Sequence, residues 1–229
     1  MDSTTDTTTE ILTHEGDVEQ HFPRWEQFLK DSGETALNRH PAWLSILQKS
    51  MGHRPICLEV VEDETTKGIL PLCLVHSWLF GKFLVSMPYL NTGGVIAKDD
   101  ETAERLIQSA IQLADQQDVK YLELRHERVF SPEAFTDQQD HKVHMRLELP
   151  SEPNMLWTAL KAKVRNQVRR PQKNNLVSQW GGLELLPEFY AVFSQNMRDL
   201  GTPVYSRKLF TNILETFPGQ AELGVVRQE

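Results

Sequence analysis

Apolar residues recur at helical spacing in two short stretches near the start of the chain, HFPRWEQFLKDS (21–32) and HPAWLSILQKSMG (40–52), and Gly33 and Gly52 stand where such helices stop. The pattern then changes. ICLEVVE (56–62), KGILPLCLVHS (67–77) and KFLVSMP (82–88) are short runs of branched and aromatic residues with turn-like DETTK and LFGK between them, which predicts a three-stranded meander. DDETAERLIQSAIQLADQQ (99–117) opens with acids suited to a helix N-terminus and continues with apolar positions 106, 107, 110, 111, 113 and 114 on one face. Two further strands are expected at VKYLELRH (119–126) and KVHMRLELP (142–150). Helices, strands, helix, strand and strand in that order predict an α/β fold, a mixed sheet flanked by helices.

The segment after residue 150 reads as one helix. Ser151 is placed to cap it, Pro153 suits its first turn, and Leu156, Leu160, Val164 and Val168 fall four apart on one stripe. Lys161, Arg165 and Arg169 form a second stripe that Lys173 continues, and Pro171 is expected to end or kink the helix. Between positions 160 and 175, LKAKVRNQVRRPQKNN holds six basic side chains and no carboxylate. Helices are expected again at PEFYAVFSQNMRDLG and SRKLFTNILETFPG, then a strand at AELGVVRQE. The organisation expected is therefore a disordered tail over 1–20, a first domain over 21–150, connecting helices that include the basic one over 151–219, and over 220–229 the opening strand of a second, truncated domain. That last strand, alone, would leave Leu223, Val225 and Val226 uncovered.

Charge sharpens this division. The 229 residues carry a formal net charge of −8, yet residues 1–150 hold 25 acidic against 14 basic side chains and residues 151–229 hold seven against ten. The basic segment thus belongs to a part of the chain that faces a different partner. Its bland reading is a solvated face, or a partner for acids on a neighbouring element. The polar start, MDSTTDTTTE, lacks the basic and apolar stretches of an export signal. The longest apolar region, 68–85, is interrupted by Pro71, His76, Gly81 and Lys82, whereas a spanning helix needs roughly 20 nearly unbroken apolar residues. No transmembrane segment is expected, and the chain reads as cytoplasmic. Cys57 and Cys73 lie inside strand-like runs and read as reduced core residues.

Four segments, SMPYLNTGGV (86–95), LELRHE (122–127), LKAKVRNQVRRPQKNNL (160–176) and MRDLGTPVYSRKLFTNILETFP (197–218), in that order and at these intervals, resemble the FemAB-like acyltransferase family. The similarity runs over roughly residues 20–229 and is greatest to the branch associated with exosortase and exopolysaccharide loci. Pro171 departs from the small residue expected in the basic helix, and Asn175 stands where glycine is commoner. The resemblance implies a GNAT-like fold in two domains with the transfer centre between them. On that reading this chain holds the first domain, the connecting helices and one strand of the second, and is inactive alone. It also implies acyl or aminoacyl transfer to an amine of a cell-envelope or exopolysaccharide precursor. The donor would be aminoacyl-tRNA or acyl-coenzyme A, with no cofactor bound tightly. Because donor and acceptor classes are polyanionic, the resemblance makes Arg165 and Arg169 candidate forks for phosphate oxygens, with Lys161 and Lys173 as point charges.

Other candidates come from the residues themselves. Tyr89 and Asn91, with Gly93 and Gly94, form a turn that could line a cleft, although a tight turn explains Asn and Gly equally well. Arg125 lies near a strand end, where α/β folds place ligands, or serves a structural ion pair. Tyr205, after GTPV, reaches a substrate or packs at a helix start. His141 and His144, three apart on an expected strand, would point to opposite faces, which argues against a shared metal. No catalytic residue declares itself, and neither a G-x-G-x-x-G nor a P-loop signature occurs, so the donor is unreadable. The competing class is a non-catalytic module whose basic helix docks RNA or an acidic protein. The absence of any Phe, Tyr or Trp within 160–175 to stack on a base disfavours it.

Overall fold

The computed structural model describes residues 9–127, 130, 135–139, 143 and 145–228. The chain divides into two compact units, Met1–Thr136 and Asp137–Glu229.

In the first unit the meander forms as the alternation requires: β2 (Arg54–Glu62), β3 (Thr65–Ser77) and β4 (Gly81–Val85) pair antiparallel. β1 (Thr9–Glu15) adds antiparallel to β2, β5 (Ile96–Ala97) pairs with the first half of β3, and β6 (Leu122–Glu123) runs parallel to β4, giving the order β1-β2-β3-β4-β6. Both faces are covered. Ile56, Leu58, Val60, Leu70, Leu72 and Leu74 pack on α3 (Asp100–Gln116), whose N-terminus is capped by the Asp99 carboxylate accepting from Thr102 N at 2.8 Å. On the other face Cys57, Ile69 and Cys73 pack with Trp25, Phe28 and Leu29 of α1 (Phe22–Asp31) and Leu44 and Leu47 of α2 (Trp43–Met51). Both thiols are free and buried, as expected; burial raises the Cys57 thiol and pushes Cys73 up to about 12.

One charge sits inside this second core. Glu59 alternates onto the α1 face and is fully buried, with Oε2 meeting His14 Nε2 at 2.9 Å and the Arg24 guanidinium, and Oε1 accepting from Thr66 Oγ1 at 2.5 Å. Burial alone would raise its pKa, but hydrogen bonds from His14 and Thr66 and the charge of Arg24 hold the carboxyl below its ordinary range. His14 belongs to β1, so the tail expected over 1–20 gives way to a strand from Thr9. Polar composition concealed it because β1 is held mainly by polar contacts, namely backbone pairing to β2, the His14–Glu59 pair, an Arg54–Glu15 ion pair at 3.1 Å and an Arg105 bond to Thr9 O, with Ile11 alone resting on the α3-side core.

Three other expectations change. The strand expected over 119–126 shortens to Leu122–Glu123, because its partner β4 ends at Val85. The strand expected over 142–150 is absent at the described positions 143 and 145–150; Val143, Met145, Leu147 and Leu149 alternate correctly but are exposed and pair with no strand among the described residues. The first unit ends at Thr136 rather than near 150.

In the second unit the single helix becomes two, α4 (Pro153–Ala159) and α5 (Ala162–Lys173), separated by Leu160 in an extended conformation (φ −64°, ψ 139°). Glu152, not Ser151, occupies the N-cap position, and it makes no side-chain cap bond. Pro171 does not end α5: it falls in the last turn, where its missing N–H costs only one terminal bond. β7 (Leu176–Gly181) and β8 (Leu223–Gln228) pair antiparallel around α6 (Leu186–Asp199) and α7 (Arg207–Thr216). The last strand is therefore partnered. Leu223 and Val225 are buried with Leu185, Leu186 and Leu214, and of the three apolar residues expected to be uncovered only Val226 is exposed.

Candidate functional site

The loop 86–94, between β4 and β5, carries backbone strain. Met87 (φ +49°) and Tyr89 (φ +71°) both adopt left-handed conformations, which cost about 1–3 kcal/mol each unless the surroundings impose them. The surroundings do. Met87 plugs the α1–α2 core, fully buried. The buried Ser86 hydroxyl accepts from Arg125 N at 2.8 Å and from Gly94 N at 3.3 Å, and Gly93 N donates to Arg125 O at 3.0 Å. Gly94 (φ +31°) has no room for a side chain, since a Cβ would stand 2.1 Å from His126 Cδ2.

Side chains from three other elements hold the loop's outer arc. Arg125 donates from Nη1 to Leu90 O at 2.6 Å and from Nε to Glu123 Oε1 at 2.7 Å. Asn38 donates to Thr92 Oγ1, and Arg39 donates to Gly93 O. His53, which follows the left-handed Gly52 that closes α2, places Nε2 2.8 Å from Tyr89 Oη, with the rings parallel to within 5°. Burial lowers the His53 pKa, so at neutral pH the imidazole is uncharged and, in the tautomer protonated on Nδ1, its Nε2 accepts a hydrogen bond from the Tyr89 hydroxyl. The phenol is partly exposed and Asn91 is exposed beside it. The result is an ordered, strained rim presenting a phenol backed by a neutral imidazole, an arrangement able to take a proton from a ligand and return it.

Three sequence candidates, Tyr89, Asn91 and Arg125, thus meet in one loop. Arg125 forms the structural ion pair that is one of its two expected alternatives, to Glu123, and its guanidinium's other contact is the loop carbonyl of Leu90. His53, Asn38 and Arg39 are not marked by any local pattern: they reach the loop from 36 to 54 residues away in sequence.

The basic candidates belong to the second unit. Arg165 Nη1 donates to the carbonyls of Leu160 (2.6 Å) and Thr158 (3.0 Å), closing the C-terminal end of α4, and the Arg169 guanidinium lies 5.1 Å from the centre of the Trp157 ring. Lys161 and Lys173, at the two ends of α5, are exposed. Tyr205 stacks on Phe193 with centroids 6.3 Å apart, and its carbonyl accepts from Tyr190 Oη at 2.9 Å, so it packs where α7 begins. Among the described residues no three His, Cys, Asp or Glu side chains are grouped to hold a metal; His141 and His144 lie outside the described residues.

No protein-family model matches the chain, and neither does any curated protein. Among solved structures, FemX is similar over 94% of this chain with a TM-score of 0.55 and 16% identity. The chain has a FemX-like fold. It spans 58% of FemX's length. Two shorter chains also align: ribosomal-protein-alanine N-acetyltransferase from Brucella melitensis biovar Abortus 2308 (TM-score 0.40, 12% identity, 60% of this chain and 99% of that one), and a GNAT family acetyltransferase from Staphylococcus aureus subsp. aureus USA300_TCH1516 (TM-score 0.33, 14% identity, 56% and 98%). At 16% identity the likeness to FemX is one of fold, a mixed sheet flanked by helices.

Proposed function

We propose that this chain serves acyl or aminoacyl transfer to an amine, in the manner of FemAB-like enzymes, on a cytoplasmic precursor of the cell envelope or of an exopolysaccharide. The observation that carries this reading is the FemX-like trace over 94% of the chain, across both units. In such a reaction the amine nitrogen bonds to the donor's carbonyl carbon, the ester or thioester bond to the leaving oxygen or sulfur breaks, and the amine's proton passes to the leaving group. Positioning and proton handling supply the acceleration. The phenol of Tyr89, backed by neutral His53, suits the second task, and Asn91 and Arg125 suit the first. Lys161 and Lys173, with Arg169 and Tyr205, are the proposed contacts for a phosphate-bearing donor or acceptor, either acyl-coenzyme A, aminoacyl-tRNA or a nucleotide-linked sugar. Arg165, bonded to the carbonyls that end α4, has fewer donors left for a ligand. The same bonds weaken the docking-module reading, which needs the whole stripe free. Among the described residues no helix is long and apolar enough to cross a membrane.

Binding tests this without requiring turnover. Uridine diphosphate N-acetylglucosamine, coenzyme A and an aminoacyl-tRNA are titrated separately against the chain. At least one is expected to bind, with affinity falling about tenfold in Tyr89→Phe combined with Asn91→Ala, the scale of one to two lost hydrogen bonds at a solvent-facing rim. Failure of all three to bind the folded chain overturns the reading.

A further inference from the structure

The β3–β4 turn carries the most exposed large apolar cluster of the first unit. Trp78, Leu79 and Phe80 are 96%, 68% and 62% exposed, in a unit that buries Trp25 and Phe28. This is no slack loop. β3 and β4 stay in register to Ser77 and Gly81, and Phe80 N donates to Ser77 Oγ at 3.2 Å, so three residues cross the end of a closed hairpin and their side chains project from it.

Behind the tip stands a polar and cationic collar. Gly81 (φ +97°) leaves room for the Lys120 stem, whose Cε would lie 2.7 Å from any Cβ added there. Lys82 Nζ donates to Gln117 O at 2.5 Å, which holds its ammonium at the hairpin base. Tyr121 stacks on Phe83 at 4.6 Å and is half exposed. From Val75 to Val85 the hairpin has no carboxylate, in a chain of net charge −8.

We propose that this hairpin tip docks the protein on the surface of a bilayer containing anionic lipid, with Trp78, Leu79 and Phe80 entering the headgroup–acyl boundary and Lys82, Lys120 and Tyr121 meeting the headgroups. Apolar side chains foremost, with phenol and ammonium groups one layer behind, match the depth order of a membrane interface. Size and shape favour a bilayer over a protein. Three such side chains offer on the order of 500 Å² at about 150–250 Å² for each aromatic, against about 800 Å² per partner in a stable protein interface, and they form a convex point rather than a face. A small apolar anchor holds only with a second, electrostatic signal, and the lysines provide it. The inference rests on the hairpin alone and is independent of the acyl-transfer reading.

The 229-residue chain is sedimented with vesicles of phosphatidylcholine, and of phosphatidylcholine mixed with phosphatidylglycerol. Partition onto the mixed vesicles is expected to exceed that onto phosphatidylcholine by about tenfold, and to fall about tenfold in the triple variant Trp78→Ser, Leu79→Ser, Phe80→Ser with its unfolding midpoint unchanged. Lys120→Gln is expected to weaken binding to the mixed vesicles only. Brominated acyl chains quench the wild-type fluorescence on binding, whereas Trp78→Phe still binds and loses that quenching. Absence of wild-type binding, or equal binding by the triple variant, overturns the proposal. So does a triple variant that converts a dimer to a monomer when the wild type shows no vesicle binding, which would make the tip a contact between copies.

Discussion

Replacing Glu59 by glutamine removes one charge from the first unit while leaving its volume nearly unchanged. The wild-type carboxylate is fully buried and accepts from His14, Arg24 and Thr66, groups contributed by β1, α1 and β3. Glutamine has one acceptor oxygen where the carboxylate has two, so an amide N–H must face either the Thr66 hydroxyl or the His14 and Arg24 donors. Breaking a buried pair by removing one partner costs about 3–5 kcal/mol, chiefly through the charge left behind. Here the Arg24 side chain is 39% exposed and can recover part of its hydration, which lowers the expected loss to about 2–4 kcal/mol at pH 7. Glu59→Ala adds a cavity and should lose more.

The acid limb gives an independent reading. The folded Glu59 carboxyl lies below its ordinary value of 4.5, so its contribution is complete above about pH 4.5 and disappears as pH falls through the folded value. Glu19, held low chiefly by Lys49, titrates in the same range, so the limb of Glu59→Gln should become shallower without vanishing. Urea unfolding followed by far-UV circular dichroism, repeated from pH 7 down to pH 3, measures both effects. A variant within about 0.5 kcal/mol of wild type at pH 7, with a parallel acid limb, would show that the network merely tolerates the charge.

Gly94→Ala should destabilise the first unit by about 2 kcal/mol or more, read from the urea midpoint, because its Cβ meets the His126 ring at 2.1 Å; a neutral change would refute the packing of the loop. Arg165→Gln should speed amide exchange across 155–165 about tenfold and leave the first unit's exchange unaltered, since it releases the carbonyls that end α4. Cys57 and Cys73 should resist a thiol reagent in the native chain and react fully in concentrated guanidinium, as burial keeps both thiols protonated. Rapid native labelling of either would contradict the sheet register.

The meander was legible because its apolar residues are sealed on both sides: Ile56, Leu58 and Val60 meet α3 while Cys57 meets α1 and α2, so nearly every position of β2 reads as core. β1 was not, since TEILTHE has only Ile11 and Leu12 to signal a strand and its anchor, His14 on Glu59, spans 45 residues. The segment 142–150 erred the other way. Alternation reports what a strand would look like, but a strand also needs an edge to pair with, and that is a tertiary fact. The division of the basic helix had the same origin: nothing between Ala159 and Ala162 is a helix breaker, and the turn there is held by Arg165 reaching back five to seven residues.

The candidate loop was half legible for a related reason. Asn, Gly and Tyr after a strand announce a turn, and Arg125 announces a strand end, but the groups that hold the turn in a strained shape come from Asn38, Arg39 and His53, whose own neighbourhoods read as helix connections. Arginine carries a similar ambiguity in sequence. Its guanidinium donors fit a phosphate and a row of helix-terminal carbonyls equally well, so the spacing of Lys161, Arg165, Arg169 and Lys173 could not say which of them face a ligand. The structure separates them by their present partners: Arg165 bonds to carbonyls, Arg169 lies over Trp157, and the two lysines extend into solvent. A phosphate held at Lys161 or Lys173 would meet ammonium groups rather than guanidinium forks, and its affinity should depend more steeply on salt than on the geometry of any one side chain.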